Sequence, residues 1–352
     1  MLTEIVVILI LTILGWAIAF IWAPFLVKLL VRYKCYKKQV RTVAPDGSGT
    51  PIFAALHKER EIAAPRMAGV LFWVTTGVLA LLFVLLGKYQ PDIFAKFDFV
   101  SRSQTWIPLF TLISASILGF VDDAMVVRGS GRINKGGGLK FRHRLLVVFL
   151  IGLVGAYWFY FKLGWDTIHV PFYGDLHLGI FYIVLFIFTM IGLFSGSVID
   201  GLDGLAGGVF AVIFTVYSII AFVLGQYDLS AFCGILAGTL TAFLWFNIPP
   251  AKFYMGETGI LGLTTTLAVV AFLTNTVLLL PFIAFILLAE IFSVVLQMWS
   301  KKYRHKKIFL VAPLHHHFEA KGWPSYQVTM RFWLITGAAS LVGLILFLID
   351  KV

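Results

Sequence analysis

The chain has 352 residues, of which 60% are hydrophobic and 13% charged, with a mean hydropathy of +0.94 and a formal net charge of +11. A soluble domain of this length exposes too much surface to hide so much apolar material. A soluble enzyme, a secreted disulfide scaffold and a disordered chain are therefore excluded, which leaves a polytopic membrane protein.

A helix crosses the bilayer in about 20 apolar residues, with every backbone polar group paired internally. On that basis the hydropathy predicts ten spans, at 5–30, 67–87, 106–121, 145–161, 179–197, 205–225, 229–248, 259–275, 277–298 and 331–349. The first follows only Glu4, without a basic leader or a small-residue cleavage site, and reads as a retained span rather than a signal peptide. The third, fourth and eighth are short, which predicts tilt, a break or polar extensions. Between the fourth and fifth, residues 162–178 (KLGWDTIHVPFYGDLHL) are too polar to cross and predict a hairpin or a short surface helix. Cys35 and Cys233 form no disulfide framework or metal pattern and read as reduced thiols. With no repeat, low-complexity tract or composition shift, residues 1–352 read as one all-α membrane domain.

Lysine and arginine set the orientation, because short cytoplasmic loops carry them in excess. The loops at 31–66, 122–144, 249–258 and 299–330 hold 21 of the 28 basic residues, and the loops on the other side hold four: Lys88, Lys96, Arg102 and Lys162. Both termini are thus expected outside. The basic charge is accounted for by topology, with an attraction for anionic headgroups and phosphorylated substrates on the same face, and does not point to nucleic acid.

The acidic and histidine motifs played no part in that assignment, yet all fall on the basic side. Asp122 and Asp123 close the third span in LGFVDDAMV, and Asp200 and Asp203 follow the fifth in VIDGLDGLAGG. Glu257 stands in PPAKFYMGETG between the seventh and eighth, and His315, His316 and His317 in APLHHHFEAKGW between the ninth and tenth. Adjacent carboxylates beside an apolar span hold a cation or share a proton, a solvated helix end being the bland alternative. Asp200 and Asp203 share a face if that stretch is helical. Its glycines permit close backbone approach by a phosphate or sugar, or close helix packing in lipid. Three consecutive histidines make a poor zinc cage and a better donor set for phosphate oxygens with Lys321, unless the run is merely a solvated loop. Glu290, inside the ninth span, either bonds a neighbouring helix or marks a proton path. His169 and His177, on the opposite side, read as structural. Taken together the residues point to Mg²⁺-assisted phosphoryl chemistry on a lipid substrate.

These motifs resemble the polyprenyl-phosphate N-acetylhexosamine-1-phosphate transferases. The resemblance is carried by GFVDD (119–123), DGLDGLAGG (200–208), FNIPPAKFYMGETG (246–259) and APLHHHFEAKGWPSYQVTMRFW (312–333), and it covers nearly the whole chain. HHHFEAKGW points to the branch that uses a muramoyl-pentapeptide nucleotide. The resemblance implies attack by undecaprenyl phosphate on the β-phosphate of UDP-MurNAc-pentapeptide, giving lipid I and UMP in a Mg²⁺-dependent reaction. It implies a site in the bacterial inner membrane that faces the cytoplasm, membrane lipid as surroundings and a homodimer as assembly. By position, Asp122, Asp123, Asp200 and His315 are the expected catalytic residues, with Asp122 as a general base. Glu257, Asp123 and Asp200 are expected on the metal. Asp203, Asn247 and Tyr254 fall at uridine-contacting positions, with the Tyr254 ring placed to stack on uracil, and His316, His317, Ser197 and Lys58 complete the expected substrate contacts. The chain departs from the family pattern at Phe194 and Ser197, where asparagines are usual, at Val126, where a lysine is usual, and at Glu257, where an aspartate is usual. Two other readings are a related transferase using UDP-GlcNAc, which HHHFEAKGW argues against, and a transporter, for which only Glu290 lies at a suitable depth.

Overall fold

The computed structural model describes residues 2–37, 63–100, 103–129 and 138–351. Lys58, expected to contact substrate, lies outside the described residues. The long apolar runs fold as helices because only a helix pairs all its backbone groups within one segment in lipid. In chain order these are α1 (Leu2–Arg32), α2 (Val70–Tyr89), α3 (Ser103–Arg128), α4 (Phe141–Tyr157), α5 (Phe181–Phe194), α6 (Leu205–Val223), α7 (Tyr227–Asn247), α8 (Gly256–Leu273), α9 (Phe285–Arg304), α10 (Leu314–Ala320) and α11 (Ser325–Asp350). Among the described residues nine helices are long and apolar enough to cross a membrane, or ten if Val277–Ile283 and α9, bent by 89° to each other, make one broken span. The architecture is that of an all-α polytopic membrane protein.

The expected spans are found, with two informative differences, and the polar stretch takes one of its two expected forms. Helix α3 runs on to Arg128, so Asp122 and Asp123 lie inside a helix rather than at its end. The ninth span is bent at Ala284 instead of straight. The polar stretch after α4 is a hairpin, with β1 (Thr167–Val170) antiparallel to β2 (Gly174–His177) and Thr167 opposite His177.

Burial sorts the helices into a centre and a rim. The membrane-length window of α8 is 94% buried and that of α7 83%, against 28% for α1 and α4. Helix α3 packs along α8, and α1 and α6 along α7, while α11 closes against α6. The rim helices turn Ile13, Phe25, Leu81, Phe188 and Leu334 outward, as a lipid-facing surface requires. At one end of the bundle the hairpin meets the C-terminus of α11: the His169 ring lies 2.7 Å from Asp175 and 2.5 Å from Asp350, and Asp350 also accepts the Phe172 N–H. The motif-bearing segments gather at the opposite end.

Candidate active site

The site is built around the N-terminus of α8, whose first N–H groups lack helical partners and carry partial positive charge. Asp123, fully buried on α3, meets this end directly. Its Oδ2 accepts the Thr258 N–H at 2.9 Å and the Thr258 hydroxyl at 2.8 Å, and its Oδ1 accepts Arg66 Nε at 3.3 Å. Asp122, the next residue round the helix, faces another way: it accepts the Leu139 N–H and lies 3.6 Å from Arg144. Arg144 in turn pairs with Glu257 at 2.6 Å, so one guanidinium joins α3, α4 and α8.

Asp200 is tied to the same helix end, its Oδ2 accepting the Gly256 N–H at 3.1 Å. Gly256 takes φ +71°, and a Cβ there would strike the Asp123 carboxylate, so only glycine serves at this junction. Burial pushes the Asp200 carboxyl up to about 6, against the opposing pull of Arg66 and the Gly256 N–H. For Arg66 burial acts to lower the pKa, but the carboxylates of Asp123, Asp200 and Glu257 outweigh it and hold the guanidinium above the usual arginine range.

The DGLDG stretch is a turn, not a helix, since α6 begins only at Leu205; Asp200 and Asp203 therefore do not share a helical face. Asp203 meets different partners: its Oδ2 accepts the Ala251 N–H at 3.4 Å and its carbonyl accepts the Thr329 hydroxyl. Asn247 clamps the turn, accepting the Gly204 N–H and donating to the Phe253 carbonyl, both at 2.9 Å. Ser197 precedes the turn, half-buried, and its carbonyl faces the Asp200 N–H at 3.5 Å. Tyr254 is held by its backbone, donating to Pro65 and accepting from Ala68, which stitches the Arg66 segment to the α8 entry.

The histidine run forms the short helix α10 rather than a loop, and its members separate. His315 is fully buried, with its ring against Gly201, where any Cβ would overlap Nε2. Its N–H donates to Glu290 Oε1 at 3.1 Å, and its Nδ1 lies 3.1 Å from Glu290 Oε2. Glu290 thus bonds a neighbouring helix, the first of the two roles its position allowed. His316 pairs with Glu319 at 2.8 Å, and His317 accepts the Leu310 N–H at 3.2 Å on an exposed edge. The structure thus brings Asp122, Asp123, Asp200, Glu257 and His315 together, sets Asp203, Asn247 and Tyr254 in the adjoining wall, and ties His316 to Glu319 and His317 to the Leu310 N–H.

Sequence reasoning counted Arg66 and Arg144 only as topology markers. Their signal was present but undirected: of Arg142, His143 and Arg144 in the first turn of α4, only Arg144 is drawn inward. A cation at a helix N-terminus is unfavourable to that helix, so its position is explained by the carboxylates it meets.

The donor set suits a hard divalent cation, being all carboxylate oxygen, and Glu257 Oε2 is buried with no hydrogen-bond partner among the described residues. With the arginines paired as they are, no three His, Cys, Asp or Glu residues among those described converge as a metal site.

The arrangement is that of a membrane transferase: the family described as Glycosyl transferase family 4 matches residues 105–275. Full-length relatives narrow the class. The chain is 32% identical to the phospho-N-acetylmuramoyl-pentapeptide-transferase of Geobacillus sp. (strain WCH70) over 94% of this chain and 95% of that protein. It is 33% identical to that of Caldanaerobacter subterraneus subsp. tengcongensis, over 94% and 96%. It is 36% identical to that of Levilactobacillus brevis, over 81% and 84%. The chain belongs to the phospho-N-acetylmuramoyl-pentapeptide-transferase family.

Proposed function

We propose that the chain transfers phospho-MurNAc-pentapeptide from UDP-MurNAc-pentapeptide to undecaprenyl phosphate, forming lipid I and releasing UMP, at the cytoplasmic face of the bacterial inner membrane. The observation that carries this reading is the convergence of four carboxylates, two arginines and a buried histidine at one end of an otherwise apolar bundle. Isolated charges in such a setting are costly, and a phosphate-handling site explains their presence.

The lipid phosphate oxygen attacks the sugar-linked phosphorus; the bond from that phosphorus to the bridging oxygen breaks, and UMP leaves with the oxygen. Arg66 and Arg144 offset the charge of the incoming phosphates by exchanging carboxylate partners for phosphate oxygens. Asp122 accepts the proton of any lipid phosphate that arrives protonated. His315 presents Nε2 at the Asp200–Gly201 turn, toward the diphosphate. Asn247 shapes the turn that presents Asp203 to the uridine, and Tyr254 offers its ring to the uracil. Mg²⁺, when bound, supplies charge neutralisation between carboxylates and phosphates; Glu257, Asp123 and Asp200 are the residues that would hold it. Ser197, Lys58, His316 and His317 are carried as further substrate contacts, and a homodimer in membrane lipid as the assembly.

The test is UMP release by the detergent-purified chain with undecaprenyl phosphate and either UDP-MurNAc-pentapeptide or UDP-GlcNAc, each with Mg²⁺ or EDTA. Release with the muramyl substrate alone, abolished by EDTA, is expected. Release only with UDP-GlcNAc moves the chain to the related branch, and no release from folded protein overturns the reading.

A further inference from the structure

Glu290 is fully buried on α9, about two turns from the bend. A carboxylate at that depth needs a reason. Its two oxygens both meet one residue, His315, which lies 25 positions further along the chain.

Oε1 accepts the backbone N–H of His315, which sits in the first turn of α10, where backbone donors have no helical acceptor. The residue before that helix is Pro313, whose side chain provides no cap. Glu290 therefore caps α10 from another element. Oε2 lies 3.1 Å from Nδ1 of the same ring, an ion-pair distance though off the line of a full hydrogen bond. The other ring nitrogen, Nε2, is buried against Gly201 with no hydrogen-bond partner among the described residues. One side chain thus holds both the backbone and the ring of His315, and the nitrogen left over faces the turn that carries Asp200.

We propose that Glu290 is the positioning residue of the site: it keeps a proton on Nδ1 of His315 and so turns Nε2 toward the substrate, as an acceptor in the neutral ring and as a donor to phosphate oxygens in the protonated one. This rests on the transferase reading of the site. A carboxylate accepts only, so Nδ1 must be the donor toward it, and in the neutral ring Nε2 is then the lone-pair nitrogen. When the ring takes up a proton, Nε2 becomes a second donor aimed at the same place. Glutamine at 290 keeps an oxygen for the α10 cap, but its NH₂ group then faces Nδ1 and demands the opposite tautomer. The substitution separates capping from ring orientation.

The test has two arms. In the first, the wild-type chain with ¹⁵N-labelled histidine is studied in detergent or bilayers, with His315 assigned against His315→Asn. A proton on Nδ1 of His315 is expected; a ring protonated at Nε2 alone overturns the proposal, and this arm needs no turnover. In the second, Glu290→Gln and Glu290→Asp are compared for thermal stability and UMP release. Glu290→Gln is expected to unfold near the wild-type temperature with kcat lowered about 10- to 100-fold, by analogy with the loss when the orienting partner of a metal-binding histidine is removed. KM for the nucleotide sugar should change less than threefold, and Glu290→Asp should recover part of kcat. Wild-type kcat in folded Glu290→Gln, or a loss confined to stability, overturns the proposal. Should Glu290→Gln fail to fold, the tautomer of the wild-type ring decides. An inactive wild-type chain would sink the transferase reading, while the tautomer would still be read directly.

Discussion

Among the described residues, replacing Arg66 with methionine removes the only guanidinium bonded to Asp123, a carboxylate with 0% exposure. Breaking a buried ion pair from one side costs about 3–5 kcal/mol, because the remaining charge is left uncompensated. The Arg66 side chain is 22% exposed and its Nε–Oδ1 distance is 3.3 Å, so water screens part of the interaction and the lower end, about 3 kcal/mol, is expected. Asp123→Asn leaves Arg66 facing Asp200 and Glu257 and should cost less. The double variant buries neither charge alone, so its loss should fall short of the sum of the single losses by about 2 kcal/mol. The assay is equilibrium unfolding in mixed micelles for the four proteins of the cycle, with UMP release measured in parallel. The double variant should regain stability but not activity. Additivity within about 0.5 kcal/mol would refute the argument that this pair organises the site.

Two further outcomes are expected. Gly256→Ala puts a Cβ at a residue with φ +71° and against the Asp123 carboxylate, so UMP release should fall by more than tenfold and the unfolding temperature should drop; near-normal release would show that the α8 entry is loosely held. At the other end of the bundle, burial acts to lower the His169 pKa, but its hydrogen bonds to Asp175 and Asp350 outweigh it and raise the value. The protonated ring therefore stabilises the fold fully below the unfolded histidine value of about 6.5, and that contribution is lost as pH rises through the higher folded value. Hydrogen exchange across 166–177 should quicken over that window in the wild type and show no such step in His169→Gln; an identical pH response in both would refute the assignment.

The spans were legible because a membrane helix declares itself in a single continuous window, and the common end of the motifs was legible because charge asymmetry orders the loops. What escaped the sequence were partnerships. Arg66 and Asp123 are 57 positions apart, and Gly256 and Asp200 are 56 apart; nothing in one chain read by itself pairs them. Local conformation failed in a related way. DGLDG was open to a helical reading, but Asn247, from another helix, holds it as a turn. HHH was open to a loop reading, but a carboxylate from α9 supplies the cap that α10 lacks. The role of Glu290 was undecidable from depth alone, and the answer came from what lies opposite it. In each case a distant side chain decides a local outcome.

Helix α8 has almost no surface in contact with lipid, for 94% of its membrane-length window is buried. Bilayers differ in thickness, and helices that face lipid respond by tilting or by deforming the membrane around them. Here that adjustment falls on the rim, on α1, α2, α4 and α11, whose outward faces meet the acyl chains. The helix that carries Gly256, Glu257 and Thr258 is insulated from it by a layer of protein. The geometry of the carboxylate and arginine cluster is in this way uncoupled from the thickness of the surrounding membrane.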